Sequence, residues 1–214
     1  MIHELGNENS VFNHFIAEIR DELIQNDPLR FRRNLERIGE IMGYEISKTF
    51  SFQEQDTTTP LGVAKSQLMT EQPVIASILR AGLTMHNGLL NIFDQAENAF
   101  ISAYRIQTEK ELKVHVEYKA CPSLTGKTVI IADPMLATGQ SMALVYEALL
   151  QNGTPKKIHI AAAIASQDSI DMLQNILPET AEIWVGAIDK TLNNKSYIVP
   201  GLGDAGDLAY GVKQ

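Results

Sequence analysis

The chain has 214 residues and a mass of 23.7 kDa, with 44% hydrophobic and 21% charged side chains, a balance that excludes disordered and fibrous proteins. At that mass the surface-scaling rule leaves roughly 9,800 Å² exposed out of roughly 34,000 Å² unfolded, so about 70% of the surface can be buried without a disulfide or metal staple. Lys and Arg number 18 against 26 Asp and Glu, a net charge of −8, which argues against affinity built by laying cations on nucleic-acid phosphates. A small anionic ligand, held by backbone amides and a few Arg side chains, is compatible with that charge.

The first residues, MIHELGNENSVFNHFIAEIRDE, show no basic segment followed by an apolar block. No run anywhere approaches the roughly 18 apolar residues of a membrane span, so the expectation is a cytoplasmic protein with no membrane partner. The lone Cys121 cannot form an internal disulfide, which fits a reducing compartment and an apolar filler role. Asp27 followed by Pro28 is an N-cap with proline at the first helical position, and Leu29, Leu35, Ile38, Met42 and Ile46 recur at helical spacing. The spacing predicts an amphipathic helix from about Pro28 to Thr49.

After Pro73 short apolar runs alternate with helical patterns: Val74 to Leu79, Ala99 to Tyr104, Thr128 to Ala132, Ile158 to Ala165 and Ile183 to Ala187. Such alternation indicates βαβ units around a buried parallel sheet, an α/β fold. The organisation expected is one domain over 1–214, with a mainly helical segment at 1–72, an α/β core at 73–190 and a glycine-rich tail at 191–214. A tail with so few periodic apolar positions reads as a shaped loop, and shaped loops carry function.

Chemistry concentrates in three segments. In TVIIADPMLATGQSMALVYEALL, Thr128 to Leu150, an apolar strand ends at Asp133, a short turn follows and a helix begins at once. Unpaired amides and the positive helix end, beside the hydroxyls of Thr138 and Ser141, make a phosphate cradle. The alternative is an ordinary capped strand-to-helix turn. The turn lacks the Lys of a nucleotide-triphosphatase loop, and Asp133 stands where open α/β sheets place ligand-binding groups. Ile78 to Leu83 ends another strand with Arg80 and two small residues, so amides and a guanidinium fork can meet a diphosphate. Tyr104-Arg105 opens a polar stretch, IQTEKELKVHVEYK, that also fits an exposed hairpin with Lys113, His115 and Glu117 on one face. In the tail, Gly201 to Gly206 matches GxGxxG, yet the eight residues after it leave no room for a dinucleotide-binding unit. The five His are scattered without a Cys partner, which gives no zinc site, and no GxSxG elbow supports acyl transfer.

The string DPMLATGQS, Asp133 to Ser141, resembles the phosphoribosyl pyrophosphate signature of the type I phosphoribosyltransferases, and specifically the DPMLATGGS of the uracil phosphoribosyltransferase family. YIVPGLGDAGD, Tyr197 to Asp207, resembles that family's uracil-binding tail, ILRAGL its pyrophosphate loop, and Thr59-Pro60-Leu61-Gly62 the segment before it. The likeness runs in family order from about Pro28 to Gly211. It implies a Rossmann-like parallel-sheet core carrying a base-binding hood, and an enzyme that turns uracil and phosphoribosyl pyrophosphate into UMP and diphosphate. It implies Arg80, Arg105 and Asp204 as catalytic residues. Phosphoribosyl pyrophosphate would lie on these three and on Asp133, Pro134, Met135, Leu136, Ala137, Thr138, Gly139, Gln140 and Ser141. Uracil would lie against Tyr197, Ile198, Gly203, Asp204 and Ala205, its acceptor, donor, acceptor edge matched by backbone groups. Magnesium would ride on the substrate diphosphate, without a protein metal site. A homodimer or larger homo-oligomer and a closing loop that carries Arg105 complete the implication, while the acidic charge gives the expectation of no nucleic-acid partner. Three positions depart from the family: Gln140 replaces Gly, Leu208 a usual Arg, and Ile106 a common Asp. A phosphoribosyltransferase-fold regulator that binds the same ligand with little turnover is the rival class, and the acidic charge and base-reading tail speak against it. A purine or orotate phosphoribosyltransferase would share the cradle but not the tail.

Overall fold

The computed structural model describes residues 1–107 and 112–213, with side chains for all of these except 103–107 and 112–116. In chain order the strands are β1 (Ile2–Glu4), β2 (Phe52–Thr59), β3 (Gly62–Met69), β4 (Val74–Leu79), β5 (Glu97–Gln107), β6 (Leu112–Ala120), β7 (Thr128–Ala132), β8 (Met135–Leu136), β9 (Lys157–Ser166), β10 (Glu182–Asp189), β11 (Thr191–Leu192) and β12 (Ile198–Val199). The α-helices are α1 (Val11–Arg20), α2 (Pro28–Ser47), α3 (Gly82–Ile92), α4 (Gln140–Leu150), α5 (Gln167–Ile176) and α6 (Ala205–Tyr210).

The main sheet has the order β1-β10-β9-β7-β4-β5-β6, with β8 also paired to β9, and every pairing is parallel except β5 with β6. Its five long central strands are the five apolar runs of the sequence. Alternation along β4 splits the core: Ile75 joins Phe31, Leu35, Ile38 and Met42 of α2 on one face, while Val74, Ala76 and Ile78 join Met142, Val145 and Leu149 of α4 on the other. Side chains from α1 and α3 also enter the first cluster, and Ile170 and Leu173 of α5 the second. From β4 the chain crosses by α3 to β5 on one side, and later returns to place β7 on the other side of β4. The carboxyl ends of β4 and β7 therefore flank a topological switch point, where α/β sheets open a crevice.

The amphipathic helix forms as its spacing predicts: Asp27 Oδ1 accepts the Leu29 and Arg30 amides at 2.9 and 3.2 Å, and Leu35, Ile38, Met42 and Ile46 are fully buried. Leu29 is exposed, because it lies in the first turn, ahead of the face that meets α3. Residues 52–69 add a hairpin to a stretch whose pattern shows only helices. Its two strands carry no buried residue. Partly for this reason the molecule exposes 11369 Å², more than the roughly 9,800 Å² expected for its mass. Trp184 and Cys121 pack as fillers, Trp184 in the first cluster and Cys121 against the second. No helix among the described residues is long and apolar enough to cross a membrane.

Candidate active site

At the end of β7 the chain turns through Asp133 and enters α4 at Gln140. Gly139 is the N-cap residue, at φ 77°, a left-handed conformation that favours glycine, and a Cβ there would also make Met172 Sδ, 2.8 Å away, shift. Gln140 is the first helical residue and exposed. The positive φ falls on Gly139, so a side chain at 140 meets no backbone strain. Asp133, Met135 to Gly139, Ser141 and Met142 line a hollow of about 110 Å³, onto which the first amides of α4, lacking intrahelical partners, open. Thr138 Oγ1 is buried there without a hydrogen-bond partner among the described residues. A buried hydroxyl left unpaired costs free energy, and an oxygen-rich anion in the hollow would satisfy it. The turn is held from behind: Ser166 Oγ donates to the Ala137 carbonyl, and Ser169 Oγ to Leu136 O at 2.7 Å.

The hollow shares Asp133, Met135, Ala137 and Ser141 with a cleft of about 860 Å³. On its far wall are Ile78 to Ala81 at the end of β4, and over it come Tyr197, Gly203, Asp204, Ala205 and Gly206 of the tail. A Cβ on Gly82 would stand 2.7 Å from Ala132 O, so the start of α3 lies directly against β7. Below it, buried Ser77 Oγ and His86 Nδ1 are 2.6 Å apart, and burial lowers the His86 pKa. Arg80 pairs with Asp207 at 3.0 Å. Asp204 caps α6, its Oδ1 accepting the Asp207 amide at 3.0 Å.

Of the residues singled out in the sequence, the cleft and its hollow gather Arg80, Asp133, Met135, Leu136, Ala137, Thr138, Gly139, Ser141, Tyr197, Gly203, Asp204 and Ala205. Three stand off these walls. Pro134 is buried with its carbonyl accepting the Ile164 amide, Gln140 faces solvent, and Ile198 packs its side chain in the core while its backbone pairs with Leu192. Arg105 lies on β5, and its side chain is outside the described residues, as are those of Tyr104, Ile106, Lys113 and His115. The β5–β6 pairing agrees with the hairpin reading of this stretch on both sides of 108–111. Leu208 packs against the apolar core beside the tail.

Sequence patterns alone did not mark the residues that hold the tail. Arg20 of α1 makes a two-pronged pair with Asp189 at the end of β10, at 2.8 and 3.0 Å. Asp189 Oδ2 accepts the Gly201 amide at 3.0 Å, and Arg20 donates to the Gly201 carbonyl at 3.1 Å. Arg32 of α2 donates to the Ala209 carbonyl at 2.8 Å. The partners of Arg20 and Arg32 lie 169 to 181 residues away, beyond the reach of local spacing rules.

A model of the family described as uracil phosphoribosyltransferase matches residues 7–212. The chain belongs to this family. A uracil phosphoribosyltransferase of Porphyromonas gingivalis is 56% identical over the whole chain and 99% of its own length, and one of Pyrococcus furiosus is 37% identical over 92% of this chain and 84% of its own. Among solved structures, a protein of Aquifex aeolicus superposes with a TM-score of 0.87 at 32% identity, covering 99% of both chains. A purine phosphoribosyltransferase of Pyrococcus horikoshii, at TM-score 0.51 and 17% identity over 75% of this chain and 86% of its own, shares the α/β fold alone.

The carboxylates of the cleft are Asp133, Asp204 and Glu117, and among the described residues no three His, Cys, Asp or Glu side chains gather into a ligand set. One or two carboxylates beside substrate phosphates is a donor set that fits magnesium, a hard ion that keeps several waters.

Proposed function

We propose that this uracil phosphoribosyltransferase family member joins uracil to the ribosyl group of 5-phosphoribosyl 1-pyrophosphate, giving UMP and diphosphate, a pyrimidine salvage step in the cytoplasm. The observation that carries the reading is that the cradle, Arg80 and the glycine-rich tail face one another across a single cleft. In it the Asp133 to Ser141 turn takes the 5′-phosphate and Asp133 the ribose hydroxyls. Arg80 and Arg105 hold the diphosphate, and the tail from Tyr197 to Ala205 aims uracil N1 at the ribose C1. The N1–C1 bond forms as the C1–oxygen bond to diphosphate breaks, and the N1 proton passes to the departing diphosphate or to water. Charge builds on the leaving diphosphate, so two guanidinium groups placed there in advance lower the barrier. Asp204 would stand beside a magnesium ion carried on the diphosphate, and that ion would supply further charge neutralisation. The backbone groups of the tail match uracil's edge and oppose the amino group of cytosine, a mismatch worth about 10⁴-fold or more in a buried site.

The test is UMP formation from uracil, phosphoribosyl pyrophosphate and Mg²⁺, in the wild type and in Asp204→Asn. Asn is as good an N-cap as Asp, so α6 stays capped while the charge is lost. A fall in kcat/KM of about tenfold or more is expected, on the scale that lost charge positioning costs. Folded protein that binds phosphoribosyl pyrophosphate yet makes no UMP would reverse the reading in favour of the regulator. A homo-oligomer belongs to the same proposal, supported by Phe52, Leu61, Val63 and Leu68, which stand exposed on the unpartnered hairpin.

A further inference from the structure

Arg80 stands in the wall of the cleft, yet its guanidinium is tied to the tail. Nη2 donates to Asp207 Oδ1 at 3.0 Å and Nη1 to the Gly211 carbonyl at 3.2 Å, while Nε is buried without a partner among the described residues. A guanidinium carries five N–H donors. Two tail contacts thus orient the group in its plane, with Nε–H turned inward, and leave one hydrogen on each Nη for a ligand.

Asp207 faces two ways. Its carboxylate meets Arg80, and its amide is the donor that Asp204 Oδ1 accepts at 3.0 Å. Between them lies Gly206, where a Cβ would stand 3.2 Å from Asp204 Oδ1 and 3.7 Å from Arg80 Nη2. The side chain that meets diphosphate and the stretch that meets uracil and ribose are therefore joined through one short helical turn, with Asp207 as the shared member.

Resting on the function proposed above, we infer that Asp207 is a positioning residue that couples the diphosphate subsite to the uracil-reading tail. With Asp207 in place, a tail docked for uracil presents Arg80 already oriented for diphosphate. A diphosphate seated on Arg80 likewise holds α6 down. Such coupling is reciprocal by thermodynamic linkage: each ligand tightens the other by the same factor. The pair need not separate when diphosphate arrives, because one hydrogen on each Nη of Arg80 stays free of the tail.

The experiment measures uracil binding by calorimetry with and without saturating inorganic diphosphate and Mg²⁺, in the wild type, Asp207→Asn and Asp207→Glu. Diphosphate is expected to tighten uracil by about fivefold or more in the wild type, the lower end of ordinary coupling. Asp207→Asn should bring that factor below about twofold even where diphosphate binds normally, and Asp207→Glu, which keeps the charge, should retain most of it. A residue serving only the fold would weaken both affinities and leave the ratio intact. An unchanged ratio in Asp207→Asn overturns the proposal, as does a wild type that binds both ligands independently. Hydrogen exchange on the wild type needs no variant: diphosphate alone should slow exchange of the α6 amides, and unaltered exchange overturns the coupling. A wild type that binds neither ligand overturns the proposed function itself, which separates the two failures.

Discussion

Gly139 and Gln140 divide the work of the phosphate turn between them. The left-handed backbone belongs to Gly139, where φ is 77° and a Cβ would also displace the Met172 side chain. Gly139→Ala should cost at least about 1–2 kcal/mol from the backbone alone, and a larger rise in KM for phosphoribosyl pyrophosphate than for uracil should show in steady-state kinetics. Gln140→Gly is expected to bring no gain in turnover, and to lower stability by up to about 1 kcal/mol, since it puts glycine in a helix; thermal denaturation checks this. The departure from the family at position 140 is thus harmless to the turn. Residue type already favours Gly139 over Gln140 for a positive φ, and the helix that starts at Gln140 agrees. That Thr138, Ser141 and Asp133 share one strand-to-helix turn was legible, since an apolar run that ends in Asp and is followed at once by a helical pattern is a local signal.

At the scale of elements, the cradle and the tail depend on supports of different kinds. The cradle is a local product of β7 and α4, with Ser166 and Ser169 of the neighbouring strand and helix bonded to its carbonyls. The tail has little local structure, and its position is imposed by Arg20, Asp189 and Arg32. Asp189→Asn leaves the Arg20 charge partly buried beside a neutral partner, and breaking such a pair costs about 3–5 kcal/mol when burial is complete. Arg20 is 21% exposed and Asp189 9%, so a smaller loss is expected. In kinetics, KM for uracil should rise several-fold while KM for phosphoribosyl pyrophosphate moves less. Equal rises would mean that the clasp serves the whole cleft. The parallel strands and α2 could be read directly, because period and apolar run length are local signals. The hairpin at 52–69 could not, since its strands are polar and pack on nothing that would impose alternation. Arg20 and Asp189 look like ordinary surface charges until the fold sets them side by side.

For the molecule as a whole, acid sensitivity should come through His159. It is fully buried, its Nδ1 accepts the Trp184 indole at 3.1 Å, and its Nε2 has no partner among the described residues. Burial first, then the Lys157 charge, push its pKa down to about 4, against the smaller opposing pull of Glu182. In the unfolded chain the imidazole titrates near its ordinary value of about 6.5, so between that pH and about 4 the unfolded state binds the extra proton. The stabilisation is complete above about pH 6.5 and is lost as pH falls towards 4, on the order of 3 kcal/mol in all. Melting temperatures measured across that window should fall with acid, and less so in His159→Gln, which keeps an acceptor for the indole. A parallel fall in both proteins would place the acid sensitivity elsewhere.

The long reach of the tail contacts also orders events during synthesis. Arg20 and Arg32 leave the ribosome early and wait for Gly201 and Ala209, the carbonyls they will hold, until almost the whole chain has followed. The sheet and the phosphate turn are complete by residue 189. On the proposed assignment, a nascent chain halted there would carry the phosphate turn without the tail that reads uracil, so selectivity for the base would be the last property this polypeptide acquires.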